Sequence, residues 1–161
     1  MNRYKVTPYL TFGKVVFYTI HNELKEHNET DEFFSRFLNK SEYADDLAAI
    51  RYWISKIGEK YGATERHFRT ERRASAIPTI RPGGNLRLYC YRVNEQIVIL
   101  GNGGLKTSQT AQDSPDLIDH FNEIQKVAFV IKSKISNGQI QVVKKQLIGE
   151  LSFFTKPHKH E

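Results

Sequence analysis

Between Arg66 and Arg92 the chain carries seven arginines, Arg66, Arg69, Arg72, Arg73, Arg81, Arg87 and Arg92, against a single acid, Glu71. A guanidinium forks onto two phosphate oxygens at once, so an arginine run of this kind suits a phosphate polyanion. The formal net charge is +6, and outside this segment 17 bases balance 17 acids. The whole excess therefore sits in one stretch, the distribution expected of a nucleic-acid contact. A solvated face, or an arginine ladder paired with acids elsewhere, is the alternative use of the same residues.

Two further residue types in this region suit chemistry on a phosphodiester. His67, in His67-Phe68-Arg69-Thr70-Glu71, is a candidate general base because an imidazole exchanges protons near neutrality. Within Leu86-Arg87-Leu88-Tyr89-Cys90-Tyr91-Arg92, strand parity puts Leu86, Leu88 and Cys90 on one face and Arg87, Tyr89 and Tyr91 on the other. The polar face is the candidate active surface. There Tyr89 or Tyr91 either stacks on a base and helps move a proton, or serves as a half-buried sheet residue with its hydroxyl at the rim.

The elements that must hold these groups are legible from spacing. Residues 4–10 and 14–20 are rich in β-branched and aromatic side chains around Phe12-Gly13 and predict a hairpin. Pro8 puts its strand at a sheet edge or makes it irregular. Asn28 or Thr30 caps a short helix bearing Phe33, Phe34, Phe37 and Leu38, with Asp31 and Glu32 in its positive first turn. After Ser41, the positions Leu47, Ile50, Ile54, Ile57 and Tyr61 form one apolar helical stripe. Residues 74–85 hold Pro78, Pro82, Gly83 and Gly84 and read as a basic loop.

Residues 86–93 and 96–100 then predict strands joined through Asn94-Glu95, and Gly101-Asn102-Gly103-Gly104 is expected to break the sheet. Ser114 and Pro115 open a long helix whose buried stripe is Leu117, Phe121, Ile124, Ala128, Ile131 and Ile135. Asn137-Gly138 ends it, residues 139–155 add an edge strand, and the tail from Lys156 frays.

Several other chemistries find no support. The glycine run lacks the Walker lysine spacing and the Rossmann fingerprint. His158 and His160 sit on the tail without a third fixed ligand, so no metal and no cofactor are expected. Ser108 has no recognisable triad partners. The single cysteine, Cys90, allows no internal disulfide and fits the reducing cytoplasm. No apolar run approaches the ~18–20 residues that span a bilayer, and the opening residues lack a signal peptide's apolar region, so no membrane partner is expected.

The arginine-bearing strand, the hairpin, the apolar strand Ile97-Val98-Ile99-Leu100, the turn Gly103-Gly104-Leu105-Lys106-Thr107 and the Thr-containing run to Gln112 together resemble the RelE/HigB superfamily of toxins from toxin–antitoxin modules. The likeness covers about residues 66–135, more loosely 14–61. It implies ribosome-dependent cleavage of messenger RNA without metal, on a concave sheet, with neutralisation by an antitoxin encoded beside the toxin. In that chemistry the substrate's own 2′-hydroxyl attacks, and the protein positions it, removes its proton and stabilises the charged phosphate. By match to the family's pattern Arg87 clamps the scissile phosphate and Lys106 supplies the basic residue after the next strand. Arg66, Arg69, Arg72, Arg73, Arg81 and Arg92 would grip ribosomal RNA or the messenger backbone.

The expectation is thus one RelE-like α+β domain over 1–161: an antiparallel sheet of about four to six strands, two N-terminal helices on one face and a long helix after the hairpin. Its departures from the family are an N-terminal hairpin extension over about 1–20, the insertion at 74–85 and a C-terminal extension over about 137–161. Partners would be messenger RNA on the ribosome, ribosomal RNA and a helix-turn-helix antitoxin. The rival functions are ParE-like binding and inhibition of DNA gyrase, and ribosome or RNA binding without catalysis.

Overall fold

The computed structural model describes residues 2–71, 73–77, 84–108 and 113–155. β1 (Asn2–Thr11) and β2 (Val16–Asn22) form the expected hairpin. Pro8 lies just before a bulge at Tyr9, and the pairing of β1 with its other neighbour is confined to Asn2–Lys5. The missing proline N–H therefore falls where no second ladder needs it. α1 (Glu29–Phe37) is capped by Asn28, whose side-chain oxygen accepts the Asp31 N–H at 2.8 Å. α2 (Ala44–Lys56) buries Leu47, Ile50 and Ile54 and ends in a π turn, Ile57–Tyr61.

β3 (Arg69–Glu71) and β4 (Ala74–Ala76) make a short hairpin, so the segment read as basic loop begins as a strand. β5 (Leu86–Asn94), β6 (Ile97–Leu105) and α3 (Pro115–Ser136) follow, with the buried stripe of α3 at Leu117, Phe121, Ile124, Ala128 and Ile131. β7 (Ile140–Val143) and β8 (Gln146–Gly149) form a separate hairpin, and β9 (Ser152–Thr155) returns to the sheet edge beside β1. Among the described residues no helix is long and apolar enough to cross a membrane.

The α+β class is as expected, but the sheet is mixed rather than antiparallel. Among the described residues it has seven strands in the order β3-β4-β5-β6-β2-β1-β9, and β2 runs parallel to β6, with Val16 opposite Ile97 and Thr19 opposite Leu100. Both central strands are buried on both faces, and a continuous apolar run carries no information about strand direction.

Each face has its own core. α1 and α2 cover Phe17, Leu86, Leu88, Cys90, Val98 and Leu100. α3 covers Tyr4, Tyr18, Ile20, Tyr89, Ile97 and Ile99. Residues from both flanks of the sheet, Ala74 and Ala76 at one side and Phe153 at the other, join the α3 core, so the sheet curls around that helix.

Gly101-Asn102-Gly103-Gly104 does not break the sheet, as its composition suggests, but lies inside β6. Leu88 pairs with Gly103 and Cys90 with Leu100, which makes a bulge at Gly101-Asn102. The glycines serve close packing: a Cβ on Gly103 would overlap the Arg87 carbonyl, and one on Gly104 would overlap the Asp116 carboxylate.

Candidate functional site

The last pair between the parallel strands is Thr19 with Leu100. Beyond it β6 bulges while β2 continues to Asn22 against β1, so the two strands part. A crevice outside the carboxyl ends of parallel strands is where α/β sheets commonly place ligands. Here the first turn of α1 is pinned to it by Thr30, whose hydroxyl donates to the Gly101 carbonyl at 3.0 Å and lies 2.6 Å from the Thr19 hydroxyl.

Polar side chains from five segments converge there. Glu29, the first residue of α1, is fully buried, and Lys25 Nζ lies 3.1 Å from each of its carboxylate oxygens. Asn102, projected by the bulge, donates to Glu29 at 3.4 Å. On α3, Glu123 Oε2 accepts the Tyr4 hydroxyl at 2.6 Å, and its carboxyl is also a side-chain hydrogen-bonding neighbour of Glu29. Burial, and then the neighbouring Glu29 carboxylate, push the Glu123 pKa up to about 8. His120, one helical turn earlier on α3, approaches both carboxylates, and burial moves its pKa down.

Further along the same end of the sheet lie Arg87 and Lys106. Arg87 is opposite Gly104, and its Nη1 donates to the carbonyls of Gly84 and Leu86 at 2.9 Å each. Lys106 follows β6 directly, and its N–H donates to the Asn85 carbonyl at 2.7 Å. Ser114 turns its hydroxyl back to accept the N–H groups of Thr107 and Ser108 at 3.1 Å. Asp116 takes the Leu105 N–H on one oxygen at 2.7 Å and the Arg36 guanidinium on the other at 2.6 Å. Burial raises its pKa, but these donors outweigh burial and leave it below the ordinary carboxylate value. A third cation, Arg36, thereby joins the Arg87 and Lys106 end.

The other residues singled out from sequence do not gather here. Tyr89, expected on an open face, is 2% exposed and packs edge-on against Phe121 at 5.4 Å. The face shared by Arg87, Tyr89 and Tyr91 is roofed by α3, which an alternation pattern could not reveal. Tyr91 is half-buried on that face, and burial raises its pKa. Arg73 stacks over Phe129 at 5.0 Å, at a groove of about 500 Å³ shared with Lys126, Phe154 and Thr155.

His67 stacks on Tyr61 at 4.8 Å, and its Nδ1 lies 2.7 Å from the Thr64 hydroxyl. Arg66 beside it is exposed. Arg92 donates to the Ala63 carbonyl and lies 3.7 Å from Glu65. The N–H of Ala63 donates to the Glu95 carbonyl, so this group sits at the turn of the β5–β6 hairpin, at the other end from Lys106. Arg69 opens β3, while Arg72 and Arg81 lie outside the described residues.

Sequence reasoning missed Arg36, Asp116 and the Glu29, His120 and Glu123 group. The one local signal was His120 and Glu123 at a spacing of three on a helix, which puts both on one face. The whole defines an α+β protein with a largely buried cluster of two carboxyl groups, a histidine and a lysine next to a cationic hairpin end. The chain matches no protein-family model, no curated protein and no solved structure.

Proposed function

We propose that the chain is the toxin component of a toxin–antitoxin module, a RelE-like fold acting as a ribosome-dependent, metal-independent messenger RNA endoribonuclease. The observation that carries the reading is that three cation-bearing positions fall at the open end of the β5–β6 hairpin: Arg87 on β5, Lys106 directly after β6, and Arg36, which Asp116 links to the Leu105 N–H. A phosphodiester attacked by its own 2′-hydroxyl needs in-line positioning and stabilisation of the anionic phosphorane, and fixed cations supply both. The carbonyls of Gly84 and Leu86 hold the Arg87 guanidinium in place, so little reorganisation is needed when charge develops. Ribosomal RNA and messenger are the polyanionic partners, with an antitoxin as the protein partner.

One observation favours a second reading, ribosome or RNA binding without catalysis. Of the proton carriers singled out from sequence, Tyr89 is roofed by Phe121 and His67 belongs to the hairpin-turn end. Induced expression separates these readings. Growth arrest with messenger cut inside codons supports the nuclease, and ribosome association with intact messenger supports the binding module. Intact messenger with DNA damage would point to gyrase instead.

A further inference from the structure

We propose that Glu29, His120 and Glu123 form a binding site for one divalent transition-metal ion of the Zn²⁺ class, tying the first turn of α1 to α3. One ligand atom from each of the three residues lies within 4.8 Å of the others. A tetrahedral zinc site with legs of about 2.0–2.2 Å needs donors roughly 3.3–3.5 Å apart, so rotations that move side-chain tips by about 1 Å close the gap. The ligand types fit: one imidazole with two carboxylates suits Zn²⁺ or Mn²⁺ better than the all-oxygen shell of Mg²⁺. His120 and Glu123 already face one direction from α3, and Glu29 enters from the opposite helix.

The surroundings are built for a cation. Glu29 is fully buried against the Lys25 ammonium and the Glu123 carboxyl is its hydrogen-bonding neighbour, so two carboxyl groups share a single ammonium in this conformation, and a divalent cation could take its place. Asn102 donates to Glu29 and Tyr4 to Glu123, the outer contacts that orient carboxylate ligands. Lys25 is the counter-ion of Glu29 in this conformation, and its side chain is 39% exposed, so it can swing to solvent when a metal enters. This inference goes beyond the cleavage reaction proposed above and supplies no step of it.

The test is calorimetric titration of Zn²⁺ into EDTA-stripped full-length protein carrying His158→Gln and His160→Gln, which removes the tail imidazoles. One saturable equivalent is expected, with a rise in Tm on loading. His120→Ala and Glu123→Gln, each checked by circular dichroism for the native fold, should weaken binding by about 10- to 100-fold. Lys25→Met, which removes the competing ammonium, should tighten it. Absence of saturable binding, or His120→Ala binding as the parent does, would overturn the site. So would a Lys25→Met variant with unchanged or weaker affinity, or a preference for Mg²⁺ over Zn²⁺.

Discussion

Arg36 and Asp116 are paired at 2.6 Å, and the same carboxylate accepts the backbone N–H of Leu105, so one side chain joins α1, α3 and the end of β6. Replacing Asp116 by Ala leaves a part-buried N–H and a guanidinium without their acceptor, a loss of about 1–3 kcal/mol. Arg36→Ala removes a half-exposed ion pair and a cation–π contact over Phe37 and should cost roughly 0.5–1.5 kcal/mol. Denaturant unfolding of the two variants should show that order. Equal losses would mean that the Leu105 bond contributes nothing. Because the folded pKa of Asp116 is depressed, its contribution is present above the ordinary carboxylate pKa and disappears as pH falls through the lowered value.

Glu123 has the opposite sign. Its folded pKa is raised from 4.5 to about 8, so between those values the folded state holds a proton that the unfolded chain releases. Metal-free protein should therefore lose stability as pH rises from about 5 to about 8, with the contribution intact below that window. Glu123→Gln should flatten this slope. A pH scan of urea midpoints measures it, and identical slopes in parent and variant would contradict the assignment.

Tyr89 separates a packing role from a chemical one. Tyr89→Ala should cost about 3–5 kcal/mol, because the ring fills the core beneath Phe121. Tyr89→Phe should cost no more than about 1.5 kcal/mol, the worth of one hydroxyl hydrogen bond. Messenger cutting by Tyr89→Phe should stay within about threefold of parent. A loss of 100-fold or more with the fold intact would put the hydroxyl back in the chemistry.

His67 makes its contacts with Tyr61, Trp53 and Thr64 at the hairpin-turn end. His67→Ala should lower stability modestly and leave the rate of cutting within about threefold. If cutting collapses while ribosome binding survives, His67 is the proton carrier and the two ends of the hairpin act together.

The features legible in the residues were local ones. The Asn28 cap, the α2 stripe from Leu47 to Ile54, the β5–β6 hairpin and the Pro115 start of α3 all follow from contacts within a few residues. What escaped was set by distant partners. Parallel pairing of Val16–Thr19 with Ile97–Leu100 joins segments about 80 residues apart, and two-sided burial erases the alternation that would reveal it. Gly103 and Gly104 have turn chemistry, yet their lack of side chains admits the Arg87 backbone and Asp116 instead. Tyr89 shares a face with Arg87, and nothing local to β5 says that α3 covers that face. Glu29 meets His120 and Glu123 only because β2 and β6 part beside the α1 N-terminus.

Translating ribosomes programmed with a defined messenger, mixed with parent or Arg87→Ala protein and read by primer extension, test the central claim most directly. The parent should cut within codons in the presence of EDTA. Arg87→Ala should reduce cutting by at least 100-fold while its melting temperature stays within a few degrees. Undiminished cutting by that variant, or no cutting by the parent on ribosomes it demonstrably binds, would contradict the account.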